Sequence, residues 1–153
     1  CTVLHARKLI NNSEPMLIAN SDQIVDIKIA DFIKDSEDRK LDGSVLCFHD
    51  NDTKWSYAKT DEKGMITEIR EKVVISENAT VGIYYFHEGC TFVENALDMI
   101  VRNERVNNEF YVAPVYNYAI AEGKKFGIYN IDMSEMHGTG TPEDLDKYIA
   151  LIK

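Results

Sequence analysis

Asp22 stands where an apolar run ends: Met16-Leu17-Ile18-Ala19-Asn20 leads into Ser21-Asp22-Gln23. An unbroken apolar run predicts a buried parallel strand, and open α/β sheets place their chemistry just beyond the carboxyl ends of such strands. A carboxylate there can hold a divalent cation against a phosphate, because Mg²⁺ takes one or two carboxylates and keeps several waters. The same aspartate could simply cap the following turn, and the local pattern alone favours that plainer role. Glu71-Lys72 is a second candidate: a carboxylate accepts hydrogen bonds from sugar hydroxyls while a neighbouring ammonium meets a phosphate as a point charge. An isolated Glu-Lys is more commonly a solvated pair at a strand end. Asn107, Asn108, Glu109 and Tyr111 form a polar cluster between two expected helices, a weak signal alone. Gly138-Thr139-Gly140-Thr141-Pro142 can lead backbone amides to an anion or serve as an ordinary helix entrance.

The elements that must position these residues alternate between helical and extended patterns, which predicts an α/β sheet. Residues 2–11 read as the later part of a helix, followed by the strand at 16–20. Asp26 is the expected N-cap of a helix with Ile29, Phe32 and Ile33 on one face, dissolving in the polar run Lys34 to Lys40. Gly43 opens a second buried strand, Ser44 to Phe48, and His49 to Asp52 turn. A hairpin follows, with Tyr57–Thr60 and Met65–Arg70 flanking a turn over 61–64. Ala79 to Phe86 is a longer strand rich in β-branched and aromatic residues, its Tyr84-Tyr85-Phe86 read as sheet core. Gly82 in its middle is costly unless something approaches the backbone closely. Thr91-Phe92-Val93-Glu94 reads as a capping box, continued by an apolar face of Val93, Ala96, Leu97, Ile100 and Val101. Pro114 to Ala121 is a helix ended by Gly123, and Phe126 to Ile131 the last strand. Thr141-Pro142 caps a final helix with a buried stripe of Leu145, Tyr148, Ile149 and Ile152.

At 153 residues the chain matches one ordinary domain and can bury a core without disulfides. A formal charge of −9 argues against a general nucleic-acid binder, which needs a basic face to displace counterions. No run is long and apolar enough to cross a bilayer. Cys1, Cys47 and Cys90 are widely spaced with no CxxC pair, so free thiols in a reducing cytoplasm are expected, without a zinc site. His5, His49, His87 and His137 show no ligand spacing and read as surface or structural residues. The opening Cys1-Thr2-Val3-Leu4 lacks an initiator methionine and reads as a start inside a larger domain.

In order, Asn20-Ser21-Asp22-Gln23, Lys63-Gly64-Met65-Ile66-Thr67-Glu68-Ile69 with Glu71-Lys72, Ala79 to Phe86, Asn107-Asn108-Glu109-Phe110-Tyr111 and Gly138-Thr139-Gly140-Thr141-Pro142-Glu143-Asp144-Leu145 resemble the sugar-1-phosphate nucleotidyltransferases, also called nucleotide-sugar pyrophosphorylases. The likeness is strongest to relatives encoded with capsule or surface-polysaccharide genes, and it covers nearly the whole chain. No single motif is specific; the order carries the resemblance. It implies a glycosyltransferase-A-like, Rossmann-related mixed sheet flanked by helices. It also implies Mg²⁺-assisted formation of an NDP-sugar and pyrophosphate from an NTP and a sugar-1-phosphate, in a possible homo-oligomer. Asp22 then matches the metal-binding aspartate, Glu71 and Lys72 the sugar- and phosphate-contacting pair, Gly82 the glycine beside the sugar, and Glu109 the acidic residue near the sugar pocket. Asp22 and Lys72 become the catalytic candidates.

Two departures qualify that likeness. The family's amino-terminal Gly-rich signature, with its triphosphate-binding arginine and lysine, is missing, so residues 1–153 read as a partial domain that alone binds NTP poorly and turns over little. Many members carry a second metal-binding aspartate where this chain has Gly138; Asp132 or Glu135 is the substitute considered, or one carboxylate with more water. Two alternatives stand beside the enzyme: a non-catalytic sugar-phosphate-binding fragment, and a glycosyltransferase of the same architecture. The latter usually has Asp-x-Asp where this chain has Ser21-Asp22-Gln23.

Overall fold

The computed structural model describes residues 2–153. A 3₁₀ turn at Thr2–Ala6 leads into the short helix α1 (Arg7–Ile10), then strands β1 (Met16–Ala19) and β2 (Gln23–Val25) and helix α2 (Ile29–Asp38). Strands β3 (Gly43–His49), β4 (Ser56–Thr60), β5 (Ile66–Glu71) and β6 (Asn78–Phe86) follow. Helices α3 (Gly89–Val101) and α4 (Val115–Ala121), strand β7 (Phe126–Asn130), strand β8 (Met136–Gly138) and helix α5 (Pro142–Leu151) complete the chain. Strands lie in the order β5-β4-β6-β3-β7, with β1 also paired to β6, and β2 and β8 form a separate two-stranded ribbon. The β3–β7 pair is parallel and the remaining ladders are antiparallel. This is the expected mixed α/β sheet flanked by helices.

The unbroken apolar run of β3 is explained by burial on both faces. Val45 and Cys47 join a core with Phe86, Phe92, Tyr116 and Phe126 beneath α3 and α4. Leu46 and Phe48 face the other way, toward Phe32 of α2 with Tyr57, Val81 and Tyr85. Strand β6 feeds both layers by the same alternation, which confirms Tyr84-Tyr85-Phe86 as core. The edge strand β5 is closed by a side chain. Asn117 of α4 accepts from the Ile69 N–H at 2.7 Å and donates to the Ile69 carbonyl at 2.7 Å, standing in for a neighbouring strand. Asn117→Ala should therefore cost about 1–3 kcal/mol, the usual penalty for stranding a buried polar group, read as a lower urea midpoint with unchanged slope.

Several local expectations are corrected. β1 is a strand but not a buried parallel one: it pairs antiparallel with β6, Met16 opposite Phe86 through Ala19 opposite Ile83. Its residues alternate between half-buried and exposed, because only one edge is paired among the described residues. Asp26 does not cap α2; Lys28 occupies that position and the Asp26 carboxylate bonds His137 Nε2 at 2.8 Å. The helix also continues through the polar run to Asp38, since Phe32 and Ser36 are buried, Lys34 and Asp38 pair on its exposed side, and Asp35 holds Arg39, which turns inward to donate to the Ile128 and Gly64 carbonyls.

Thr91 lies inside α3, which starts at Gly89. The helix's first free N–H groups are met by backbone instead: Gly89 N donates to the Glu14 carbonyl and Cys90 N to that of Asn12, each at 2.9 Å. The buried face consequently rotates to Phe92, Val93, Ala96 and Met99, leaving Val101 83% exposed. Thr141 caps α5 as expected, accepting from Asp144 N. The stripe behind it is not buried, for α5 packs chiefly on the narrow β8 and Ile152 is 66% exposed. β8 itself, three residues long, lies after the strand expected to be last. Cys47 and Cys90 are free thiols, and Cys1 lies outside the described residues. No helix of the described residues is long and apolar enough to cross a membrane.

Candidate active site

Glu71 ends β5 and Lys72 follows it, both lining a cavity of about 450 Å³, ample for a sugar phosphate. Successive strand residues normally face opposite ways. Lys72 escapes that rule by adopting a left-handed backbone, φ 56°, held where its N–H donates to the Trp55 carbonyl at 3.0 Å. Both side chains therefore line the cavity. Glu71 is buried and accepts a hydrogen bond from Ser56, its cross-strand neighbour. Burial raises its carboxyl above the ordinary range, against the opposing pull of Ser56 and of the Lys72 charge. Lys72 Nζ donates to the Tyr111 hydroxyl at 3.2 Å and lies 5.3 Å from that ring's centre. Tyr84, a buried phenol pushed up to about 12, closes the floor against Thr80 at 3.2 Å.

The raised Glu71 carboxyl has a measurable consequence. The native state keeps this proton to higher pH than an unfolded glutamate, whose ordinary value is 4.5. Its contribution to stability is fully present below that value and is lost as pH rises through the elevated one. Urea titrations from about pH 4 to about pH 7 should show wild type losing stability relative to Glu71→Gln, with a relative slope no steeper than about 1.4 kcal/mol per pH unit.

The polar cluster 107–111 acquires a mechanism. Asn107 and Asn108 both have positive φ, 49° and 64°, and Val106 and Glu109 exchange backbone hydrogen bonds at 3.0 and 2.9 Å. This is a type I′ turn, which asparagine tolerates better than most residues. It delivers Tyr111 to Lys72. Glu109 lines a neighbouring cavity that shares Tyr111 with the first, and its charge acts on both Glu71 and Lys72.

Gly82 lies on the opposite side, where the pairing of β6 with β3 shifts register, and its φ is 91°. A Cβ there would come within 2.3 Å of Asn20 Nδ2 and 2.8 Å of Gln23 Oε1. The close approach anticipated at this glycine is thus made by two side-chain amides, both lining the cavity.

Between those two lining residues in sequence comes Asp22, exposed and itself outside the lining. Its carbonyl accepts from Thr139 N at 2.8 Å, so the β2–β8 ribbon brings the Gly138-Thr139-Gly140 turn to it. Gly140 keeps the carboxylate open, since a Cβ at that position would lie 2.9 Å from Asp22 Oδ2. An uncovered carboxylate at a cleft suits Mg²⁺ carried in by a phosphate. No group of three or more His, Cys, Asp or Glu among the described residues could hold a metal unaided.

Asp132 is not brought to Asp22. It caps a 3₁₀ turn, bonding Ser134 N at 2.9 Å while Glu135 bonds back to its backbone. That turn adjoins Asp26, whose N–H donates to the Glu135 carbonyl, four residues of mostly extended chain, roughly 13 Å, from Asp22. Ser56, Thr80, Trp55 and Gln23 line the cavity without having been singled out from their residue types.

A nucleotidyl transferase family profile matches residues 2–148. Among solved structures, the chain is similar to a nucleoside-diphosphate-sugar pyrophosphorylase from Vibrio cholerae RC9, with TM-score 0.77 and 22% identity over 95% of this chain and 59% of that one. It is also similar to a protein from Bacillus anthracis described as a glucose-1-phosphate thymidylyltransferase, solved with sucrose. There the TM-score is 0.68 and the identity 20%, over 96% of this chain and 57% of that one. The chain thus spans less than three-fifths of either structure's length. No curated protein matches it.

Proposed function

Because the chain belongs to the nucleotidyl transferase family, we propose that it is part of an enzyme that joins an NTP to a sugar-1-phosphate, giving an NDP-sugar and pyrophosphate with Mg²⁺. The observation that carries this reading is the convergence of Glu71, Lys72, Gly82 and Tyr111 on one cavity beside the open Asp22 carboxylate.

Lys72, fixed by Tyr111, meets the phosphate of the sugar-1-phosphate and orients its oxygen for attack, a matter of position and charge more than covalent help. Glu71 accepts from sugar hydroxyls while Ser56 holds it in place. Gly82 lets the strand-end amides stand over the sugar, and Glu109 contributes negative charge at the pocket's outer side. Asp22 would hold Mg²⁺, which neutralises the reacting phosphates' charge when bound; Asp132 enters as a second ligand only if its turn rearranges. Residues 1–153 are then a partial domain, a reading supported by the share of the two solved structures the chain spans, so this chain alone should turn over little. A place in surface-polysaccharide synthesis, in the cytoplasm, rests on the motif likeness alone.

The test is pyrophosphate release across NTPs and hexose-1-phosphates with Mg²⁺, comparing residues 1–153 with the full gene product. Sugar-dependent pyrophosphate from the full product is expected. Release of NDP from a nucleotide-sugar instead would mean a glycosyltransferase, and activity with neither would leave a binding fragment.

A further inference from the structure

The turn that faces Asp22 has little to hold itself in place. Two residues of Gly138-Thr139-Gly140 are glycines, which restrict the backbone least. Its backbone tie to Asp22 is the bond from Thr139 N–H to the Asp22 carbonyl. The β2–β8 ribbon that leads into it pairs three residues on each side, and a two-stranded ribbon is marginal alone. The turn's position therefore depends on what grips its two ends. At the α5 end Thr141 caps the helix, accepting from Asp144 N. At the ribbon end the grip is His137. It lies opposite Ile24, so Asp26, two residues on, is its diagonal neighbour on the same face. His137 Nε2 donates to Asp26 Oδ2 at 2.8 Å, and the imidazole lies 5.2 Å from the Tyr148 ring of α5. On the ribbon's other face, Val25 and Met136 pack on the core that holds Phe32 and Tyr85. The His137 side chain, 14% exposed, thus joins both strands of the ribbon to α5, one residue before the turn begins.

We infer that His137 is a positioning residue: by clamping β2, β8 and α5 together it fixes the Gly138-Thr139-Gly140 turn against Asp22, and so how that carboxylate is presented to Mg²⁺. This rests on the metal role proposed for Asp22 above. His137 itself stays away from the reacting groups. Its ring lines a small groove with Asp144, Lys147 and Tyr148, outside the cavity of Glu71 and Lys72. Gly140 makes the placement matter. The turn lies so near that a Cβ there would meet Asp22 Oδ2 at 2.9 Å, so a small shift of the turn changes the room the carboxylate has. A ligand that samples more orientations is less preorganised and holds its metal less well.

The test uses the full gene product as wild type, His137→Ala, His137→Gln, Asp26→Ala and Asp22→Ala. Amide hydrogen exchange reads the turn, and water-proton relaxation with Mn²⁺ and pyrophosphate reads metal binding without turnover. His137→Ala should lose protection at Thr139 while the amides of β3 and β6 keep theirs. It should weaken Mn²⁺–pyrophosphate binding about tenfold, the lower end for removing an outer support of a metal ligand, with the sugar-1-phosphate KM unchanged. His137→Gln, which can still donate to Asp26, should recover most of both. Asp26→Ala should reproduce the loss, and combining it with His137→Ala should add nothing, as expected of two groups acting as one unit. Unchanged Thr139 protection in His137→Ala overturns the inference, and so does lost protection with Mn²⁺ binding intact; either result leaves the metal role of Asp22 standing. An equal loss in Mn²⁺ binding and in sugar KM would mean general loosening and overturns it too. Should His137→Ala fail to fold, Asp26→Ala decides by the same readings. Wild type and Asp22→Ala holding Mn²⁺–pyrophosphate equally well would remove the metal role, and the inference with it.

Discussion

Replacing Asp22 by alanine in the full gene product should lower kcat for pyrophosphate release by roughly 10²–10⁴-fold, the scale on which a metal's stabilisation of reacting phosphates is measured. The sugar-1-phosphate KM should hardly move, because Glu71, Lys72 and Tyr111 line the cavity proposed for the sugar and Asp22 does not. Stability should also stay within about 0.5 kcal/mol, since Asp22 is exposed and an exposed side chain outside such features usually contributes little. That split separates a metal-holding aspartate from one that merely caps a turn, which would change stability and leave kcat alone. Asp132→Ala makes the complementary comparison. Its carboxylate bonds Ser134 N and Oγ at 2.9 and 2.6 Å, so the expected loss is about 1 kcal/mol of stability, as for other caps, without a matching fall in rate. A kcat collapse in both variants would make Asp132 the second ligand after all. Full activity of Asp22→Ala would remove the metal role altogether.

What could be read from residue order and what could not divide along one physical line. Short-range signals succeeded: the buried β3 run, the hairpin around 61–64, the Pro114 helix start and the Thr141 cap each depend on neighbours within a few residues. Of the sites read by resemblance, Glu71, Lys72 and Gly82 line one cavity, Glu109 lines its neighbour, and neither Asp22 nor Asp132 is part of either lining. Long-range substitutions for local rules were invisible. α3 takes its cap from the backbone at Asn12 and Glu14, so no Ser, Thr or Asp advertises the start. β2 and β8 are three residues each, too short for a periodic pattern. Yet their pairing is what sets the Gly140 turn against Asp22. Ser56 was hidden by a single irregularity. The hairpin register slips between Lys59 and Thr60; counted back from Thr60 and Ile66 without the slip, Ser56 would face Arg70 instead of Glu71. A one-residue shift moves every side chain to the other face of the sheet, so the partner of the buried carboxylate could not be found by counting from the turn.

The largest stability effect is expected from Phe86→Ala. Phe86 is fully buried, stacked on Tyr116 at 4.5 Å between ring centres and meeting Phe92 and Phe126 edge-on at 5.4 and 6.0 Å. Removing a buried phenylalanine ring typically costs about 3–5 kcal/mol, and aromatic pairs add to simple area burial. The surroundings cannot easily collapse into the gap. Tyr116 is anchored by its hydroxyl to the carbonyls of Ser44 and Tyr85, and Gly43 packs so closely on β6 that a Cβ would lie 2.2 Å from the Tyr85 carbonyl oxygen. Against a total of about 5–15 kcal/mol for an ordinary domain, such a loss should leave the variant partly unfolded at moderate temperature. Phe86→Leu, which refills part of the volume, should recover a good share of it. The effect reaches the site through pairing: Phe86 is opposite Met16 of β1 and Gly43 of β3, and β1 is the strand that delivers Asn20, Asp22 and Gln23. Hydrogen exchange should therefore show the amides of β1 losing protection in Phe86→Ala before those of the β4–β5 hairpin. Uniform loss across both would mean that the cavity's two sides open as one unit, leaving the β1 side with no separate weakness of its own.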